Sequence, residues 1–179
     1  TLAIPVIPGI KSATERFAGA DETFTIEAMM QNGWALQAGT SHFLGQNFAK
    51  AFDVTFQTSE GTLEHVWATS WGVSTRLVGA VIMAHSDDTG LVLPPKIAPI
   101  QVVLVPIWRK DEDEKRVMEF TRVVQERLGS SVRVHVDDRT KMKPGAKYFE
   151  WERKGVPLRF EIGPRDVDNN SVFCAKRTG

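Results

Sequence analysis

A short segment in the middle of the chain has the residue types and the spacing that suit an anionic ligand. Residues 70–76 read Ser-Trp-Gly-Val-Ser-Thr-Arg. They are predicted to connect a strand to a helix, with Arg76 in the first helical turn. Free N–H groups and the dipole at a helix start favour a phosphate, and a guanidinium adds paired hydrogen bonds to its oxygens. The alternative is that Ser74 only caps the helix and that Arg76 lies in water.

A second polar segment precedes it in the chain. Residues 37–42 read Gln-Ala-Gly-Thr-Ser-His, follow a predicted strand and are followed closely by Gly-Gln-Asn at residues 45–47. Small and amide-bearing residues in this density can bind a planar ligand through backbone and side-chain hydrogen bonds. The alternative is a polar turn that caps the next helix, with His42 as an ordinary capping histidine. A histidine beside a serine does not by itself establish a nucleophile.

His85, Asp87 and Asp88 are the residues that raise the question of a metal. They follow a predicted helix, whose end ordinarily collects polar groups, and no further dispersed ligand is identified. We therefore predict no metal site, and a metal-dependent hydrolase that uses His42 with these residues is kept as a minor alternative. Residues 11–21 combine charged, small and aromatic side chains and are predicted to form a loop.

The elements that must position these segments are of two kinds, and the first half of the chain favours an antiparallel sheet. Apolar and polar residues alternate over residues 23–28, and residues 34–38 can pair with them as an antiparallel strand. A strand over residues 66–70 leads into a helix over residues 74–84. A short helix is also predicted around Phe48. Antiparallel strands with helices indicate an α+β fold.

The second half follows a proline-rich junction at residues 93–99, which no helix can cross. A strand over residues 101–106, a helix from 111 to 128 and a strand over 132–136 predict a right-handed parallel crossover. A short helix, a third strand and the start of another follow, over residues 146–154, 156–162 and 172–175. This predicts a small α/β domain with a mixed sheet, and domain boundaries at 1–97 and 98–179.

Composition narrows the class of protein. Of 179 residues, 42% are apolar and 25% charged, and no apolar run approaches the ~20 residues of a membrane span. Cys174 is the only cysteine, so an intramolecular disulfide is excluded and a reducing compartment is expected. Residues 1–98 carry 5 basic and 9 acidic side chains, whereas residues 99–179 carry 17 and 13. This asymmetry makes the second half the better candidate for a polyanionic partner.

The order and spacing of several segments together resemble the prolyl-tRNA synthetases, over nearly the whole chain. The segments that carry the resemblance are residues 15–21, 25–28, 36–42 with 45–48, 69–76, 90–98, 144–145, 155–159 and 163–166. The resemblance implies a class II catalytic fold that makes prolyl-adenylate from ATP and proline and then charges the proline tRNA. The first two class II motifs are expected before Thr1, so this segment alone is expected to be inactive.

Each candidate residue acquires a role from that resemblance. Gln37 and Thr40 match positions that bind the adenosine part of ATP. Arg76 matches the arginine that holds the ATP phosphates, and with Mg²⁺ it would stabilise the charge on a pentavalent phosphorus. The proline pocket is matched by His42, Trp71 and Gly72.

The resemblance also implies partners for the second half. Residues 98–179 resemble an anticodon-binding domain, whose tRNA substrates share two anticodon guanines. Guanine edges suit contacts from basic and acidic side chains, so the candidate readers are Arg139, Lys147, Glu152 and Lys154. Solvated surface charge is the alternative for each of them.

The branch of the family determines the remaining expectations. The stretch before residue 70 has no room for the editing insertion of bacterial-type members, which favours the archaeal/eukaryotic-like branch and a further domain after Gly179. A homodimer formed through upstream regions and a cytoplasmic location are expected, with a plastid or mitochondrial location where the source is a eukaryote. A non-catalytic RNA-binding or regulatory paralogue is the alternative function.

Overall fold

A computed structural model describes all residues, 1–179, and divides them into two compact units. The first unit is Ile4–Ala84, and the second is His85–Gly179 together with Thr1–Ala3. Residues 85–97 thus belong by their contacts to the second unit. The assignment of residues 1–97 and 98–179 to a catalytic and an anticodon-binding domain stays a prediction about function. None of the helices is both long and apolar enough to span a membrane.

The first unit is built on a four-stranded antiparallel sheet. Its elements in chain order are β1 (Val6–Ile10), β2 (Glu22–Met29), β3 (Ala35–Gly45), α1 (Asn47–Ala51), β4 (Thr55–Gln57), β5 (Leu63–His65), β6 (Ala68–Gly72) and α2 (Arg76–His85). The sheet order is β1-β2-β3-β6, and β4 pairs with β5 in a separate hairpin. The predicted α+β class is confirmed, although β1 and the hairpin were not predicted.

In β2 the threonines are buried and the large apolar side chains are not. Thr23 and Thr25 are buried, whereas Phe24 and Ile26 are 43% and 38% exposed. The register of β2 against β3 shifts between Ile26 and Glu27. At this β-bulge β3 carries one extra residue, Ala38, and Ala28 of β2 is buried with Ala38 and packed by Leu77 of α2.

The β6 strand has the predicted length but lies two residues further along the chain, so it includes Trp71 and Gly72. In the register of β3 against β6, Gly72 is opposite Thr40 and Trp71 is opposite Ser41. The predicted helix start is also shifted, since α2 begins at Arg76. The two polar segments of the sequence therefore lie on adjacent strands.

The second unit is a mixed sheet with helices. Its elements are β7 (Val102–Pro106), α3 (Asp111–Leu128), β8 (Val134–Val136), α4 (Pro144–Arg153), β9 (Leu158–Ile162), α5 (Pro164–Asp168) and β10 (Phe173–Lys176). The order is β10-β9-β7-β8, with β7 parallel to β8 and β9 and with β10 antiparallel to β9. The predicted parallel crossover and mixed sheet are confirmed, and only α5 was missed.

The central strand explains the apolar run at residues 102–106. Val102 and Leu104 pack with Val117 of α3, while Val103 and Val105 pack on the opposite face with Trp151 of α4. All five residues of β7 are buried. A strand buried on both faces has no polar position, so its sequence does not alternate.

A close backbone approach joins the segment before the sheet to the end of α4. The Leu91 N–H donates to the Arg153 carbonyl at 3.0 Å. Gly155 has a φ of +73°, and a Cβ there would lie 2.7 Å from the Leu91 carbonyl oxygen. Arg177 reinforces the approach, because its buried guanidinium donates to the carbonyls of Leu91 and Glu152.

We expect Gly155→Ala to destabilise the protein, because alanine at positive φ costs about 1–2 kcal/mol and its methyl group meets backbone atoms. Gly145→Ala in the first turn of α4 is the matched control, since nothing lies within 4 Å of its Cβ position. Urea unfolding followed by tryptophan fluorescence measures both. Equal stability of the two variants would contradict the close approach.

Candidate functional site

The pairing of β3 with β6 forms a cavity of about 330 Å³ in the first unit. It is lined by every residue predicted for the ATP and proline sites: Gln37, Thr40, His42, Trp71, Gly72 and Arg76. None of the residues that line this cavity is acidic. Two segments that are distant in sequence therefore share one concave surface.

Arg76 is the first residue of α2, directly after the turn that contains Ser74. Its backbone N–H donates to Ser74 Oγ at 3.3 Å, so Ser74 does cap the start of α2. Its guanidinium is exposed and donates to the Gln37 carbonyl at 3.4 Å. No carboxylate of residues 1–179 forms an ion pair with it. An unpaired guanidinium beside a cavity is available to an anionic ligand.

His42 is held from two sides. Its Nδ1 lies 2.9 Å from the hydroxyl of the buried Thr23. The ring of Phe17 lies 4.9 Å from the imidazole, centroid to centroid. The hydrogen bond fixes the ring orientation and leaves Nε2 for another partner. The sequence predicted only a loop at Phe17 and did not indicate that its ring contacts His42.

The amide of Gln37 is held in a similar way. Its Oε1 accepts a hydrogen bond from Lys11 Nζ at 2.7 Å. Lys11 comes directly after β1, in the segment that the sequence identified only as a loop.

An apolar groove of about 550 Å³ lies beside the polar cavity and shares Trp71, Gly72 and Thr40 with it. Its walls include Ile10, Phe24 and Ile26, which explains why the apolar side chains of β2 are not in the core. The indole of Trp71 is 77% exposed and separates the two hollows. A ligand in the polar cavity would thus meet an apolar wall on one side.

The residues of the metal-dependent alternative have other partners. His85 Nε2 lies 2.9 Å from the Leu2 carbonyl oxygen. Asp87 is bound by Arg177, whose hydrogen bonds hold the pKa of that carboxyl well below its usual range. No group of three or more His, Cys, Asp or Glu side chains in residues 1–179 is arranged to hold a metal ion.

In the second unit, two of the candidate anticodon readers, Arg139 and Lys147, contact the buried Asp137. Asp137 is 1% exposed and accepts hydrogen bonds from Arg139 Nη2 and Trp151 Nε1, both at 2.7 Å. Lys147, 4% exposed, donates to the Asp137 carbonyl at 2.8 Å. The solvated charge that the sequence offered as the alternative does not describe Lys147, and its role as an anticodon reader stays a prediction.

The other candidates are also engaged. Lys154 donates to Glu150 at 2.6 Å and lies 4.6 Å from the Trp151 ring centroid. Glu152 lines a small cavity with Arg159 and Arg177, away from Asp137. The structure thus brings Arg139 and Lys147 together and leaves Glu152 apart from them.

A basic cavity that the sequence did not predict lies at the carboxyl end of β7. It has a volume of about 260 Å³ and includes Trp108, Arg139, Lys141, Lys143 and Lys147. Lys141 and Lys143 are exposed and form no ion pair within residues 1–179. The signal that would have identified them is the spacing of basic residues in the loop after a parallel strand, where α/β sheets bind ligands.

The groups around Asp137 keep its carboxyl in the charged form. Burial alone would raise the pKa of this carboxyl, but the hydrogen bonds from Arg139 and Trp151 and the charge of Lys147 lower it below its usual range. Because the folded pKa is below the unfolded value of ~3.9, the stabilisation is present above about pH 5. It is lost progressively as the pH falls below 4.

We expect Asp137→Asn to destabilise the protein by about 3–5 kcal/mol, because it leaves the buried Lys147 ammonium without a counter-charge. Glu150→Gln is the control, since its partners Arg139 and Lys154 are about half exposed and the loss should stay within about 1 kcal/mol. Urea unfolding at pH 7 and pH 4 measures both. A wild-type stability for Asp137→Asn would show that the ion cluster does not hold this loop.

Comparison with known proteins finds similar sequences over nearly the whole chain. Residues 101–179 match the family described as “Anticodon binding domain”. A proline-tRNA ligase of Flavobacterium johnsoniae is 60% identical over 177 residues, which are 98% of this chain and 36% of that protein. The chloroplastic/mitochondrial proline-tRNA ligase of Arabidopsis thaliana is 60% identical over 176 residues, 98% of this chain and 32% of that protein.

A solved structure gives the same result in three dimensions. The prolyl-tRNA synthetase of Cryptosporidium parvum complexed with L-proline and AMP matches with a TM-score of 0.88 and 48% identity. The match covers 98% of this chain and 38% of that one. The resemblance found in the sequence is thereby confirmed: the chain belongs to the prolyl-tRNA synthetase family, and it spans only a little over a third of the length of the relatives it matches.

Proposed function

We propose that the protein containing this chain ligates proline to its tRNA, by forming prolyl-adenylate from ATP and then transferring proline to the tRNA. The observation that carries the proposal is the convergence of Gln37, Thr40, His42, Trp71, Gly72 and Arg76 on one cavity. The similar Cryptosporidium parvum structure is a complex with L-proline and AMP, which are the two halves of such an adenylate.

The polar side of the cavity suits the nucleotide. Gln37 and Thr40 offer hydrogen bonds to adenosine, and Arg76 offers an unpaired guanidinium to the phosphates. Negative charge increases at the reacting phosphorus as the adenylate forms, and a preorganised cation stabilises this charge without taking part as an acid or base. Arg76 would therefore accelerate the first step.

The other end of the cavity suits proline. His42 is fixed by Thr23, and Trp71 presents an exposed indole next to Gly72, which has no side chain to fill the space. An apolar pyrrolidine ring packs favourably against an aromatic wall. The glycine leaves room for the ligand at that point.

Magnesium is implied by the family, but the residues of this chain do not fit a site for it. No group of three or more His, Cys, Asp or Glu side chains in residues 1–179 is arranged to hold a metal ion, and none of the residues lining the cavity is acidic. Magnesium prefers carboxylates and phosphate oxygens. No step is therefore assigned to a metal held by this chain.

The alternative function differs from the proposal in a measurable way. A non-catalytic paralogue would bind tRNA without proline-dependent ATP–pyrophosphate exchange, although the presence of all six site residues favours the enzyme.

Homodimer formation and a cytoplasmic location remain proposals. The Arabidopsis thaliana relative is named chloroplastic/mitochondrial, so an organellar location is retained for a eukaryotic source.

We expect Arg76→Ala in the full-length protein to lower proline-dependent ATP–pyrophosphate exchange by roughly 100- to 1,000-fold, the usual cost of removing a transition-state charge contact. Affinity for tRNA should be nearly unchanged. Arg122→Ala, which removes an exposed arginine of α3 outside the cavity, is the control and should leave the rate of exchange unchanged. An exchange rate for Arg76→Ala within a few-fold of wild type would remove Arg76 from the mechanism.

For the second unit, we propose that the basic cavity at the end of β7 receives anticodon bases. Single-stranded bases are recognised by stacking on aromatic side chains and by hydrogen bonds to their edges. Trp108 offers a ring, and Lys141 and Lys143 offer unpaired ammonium groups to the acceptors of guanine or to phosphates. Arg139 and Lys147 position this loop through Asp137.

We expect the Lys141→Ala/Lys143→Ala double variant to raise the KM for tRNA in aminoacylation by roughly tenfold or more, at an expected cost of about 1–3 kcal/mol per base contact. Proline activation should not change. Lys96→Ala is the control, because Lys96 lies in the turn before the amino end of β7. If the double variant charges tRNA as wild type does, the anticodon binds on another face.

A further inference from the structure

The side chain of Lys11 forms one hydrogen bond, and it is with a candidate nucleotide-binding residue. Its Nζ donates to Gln37 Oε1 at 2.7 Å. No carboxylate of residues 1–179 forms an ion pair with it. A half-buried lysine ordinarily has an acidic partner or reaches water. Here the ammonium is directed at a neutral amide instead.

The position of Lys11 is fixed by the sheet. Its backbone N–H donates to the Thr23 carbonyl at 2.9 Å, which continues the pairing of β1 with β2 by one residue. Since β2 lies between β1 and β3 in the sheet, the Lys11 side chain reaches across β2 to contact Gln37. The contact therefore joins an edge strand to the wall of the cavity.

This contact determines which way the Gln37 amide points. An ammonium has three donors and no acceptor, so the atom that faces it must be the amide oxygen. The backbone carbonyl of Gln37 is occupied as well, by the guanidinium of Arg76 at 3.4 Å. Both oxygens of Gln37 are thus used by cations, and the side-chain NH₂ group is what remains for a ligand.

We propose that Lys11 is a positioning residue, which fixes the Gln37 amide so that its NH₂ group donates to an acceptor atom of the bound nucleotide. The ligand atom that Gln37 recognises is then a ring nitrogen or a ribose oxygen, and not the exocyclic amine of adenine. Lys11 itself does not line the cavity. This inference deepens the proposed function and rests on the assignment of Gln37 to the adenosine site.

The decisive experiment is a double-mutant cycle in the full-length protein with Lys11→Met and Gln37→Met. Lys11→Met should raise the Kd for ATP, measured by calorimetry, and the KM for ATP in pyrophosphate exchange by roughly five- to tenfold, the net size of one ordinary hydrogen bond. The KM for proline should not change. In the Gln37→Met background the same substitution should add less than twofold, because the amide that it orients is gone.

Two further variants separate positioning from charge. Lys11→Arg keeps a donor and should retain most of the affinity, whereas Gln37→Glu can pair with Lys11 but has no NH₂ group and should lose it. Lys50→Met is the matched control, since Lys50 is an exposed lysine of the same unit. Its substitution should leave both constants at wild-type values.

The outcomes distinguish this proposal from the proposed function. An undiminished effect of Lys11→Met in the Gln37→Met background would mean that Lys11 acts on ATP by its own charge, which overturns the positioning role. Unchanged ATP binding in Lys11→Met would overturn it too. Absence of proline-dependent exchange in the wild-type protein would instead overturn the proposed function, while the calorimetric cycle would still test Lys11.

Discussion

The site in the first unit depends on one piece of antiparallel pairing, the register of β3 against β6. Thr40 is opposite Gly72, and His42 is opposite Ser70. Because cross-strand partners lie about 5 Å apart, this register places two polar segments some thirty positions apart in sequence on one surface. A slip of one residue would turn every side chain of the strand to the other face. The hydrogen-bond ladder is thus part of the site.

The strand β2 supports the site from the other edge of β3. Thr23 is fully buried, and its hydroxyl lies 2.9 Å from His42 Nδ1. The β-bulge places one extra residue, Ala38, in β3 between the partners of Ile26 and Glu27. Ala38 is buried with Ala28 of β2 and packs with Leu77 of α2, so a polar contact and a small apolar cluster both lie behind the site.

Much of the fold was predictable because its signals are local. The all-apolar run of β7, the amphipathic α3 and the alternation near β8 and β9 each identify their own element. The short strands β1, β4 and β5 gave no such signal: β1 contains Pro8 and Gly9, and the hairpin strands have three residues each. Their formation depends on partners that are remote in sequence.

The candidate site was predicted as a set of residues, but the state of each charge was not. Lys147 and Lys141 have the same chemistry and lie six positions apart, yet only Lys147 is buried. The difference arises from Asp137, whose carbonyl oxygen and carboxylate face the start of α4. Whether a lysine is a structural cation or a ligand-binding one is decided by tertiary contacts, which a sequence pattern does not contain.

Local placement of charge also outweighs net charge at the first site. Residues 1–98 carry 9 acidic and 5 basic side chains, which would disfavour a polyanion if charge acted as a sum. The residues lining the polar cavity include Arg76 and no carboxylate, and the Lys11 ammonium contacts Gln37 in its wall. Interactions between exposed charges are largely screened beyond ~10 Å at moderate salt. Exposed carboxylates beyond that distance therefore contribute little at the cavity, and the half of the chain with the negative balance can still bind an anion there.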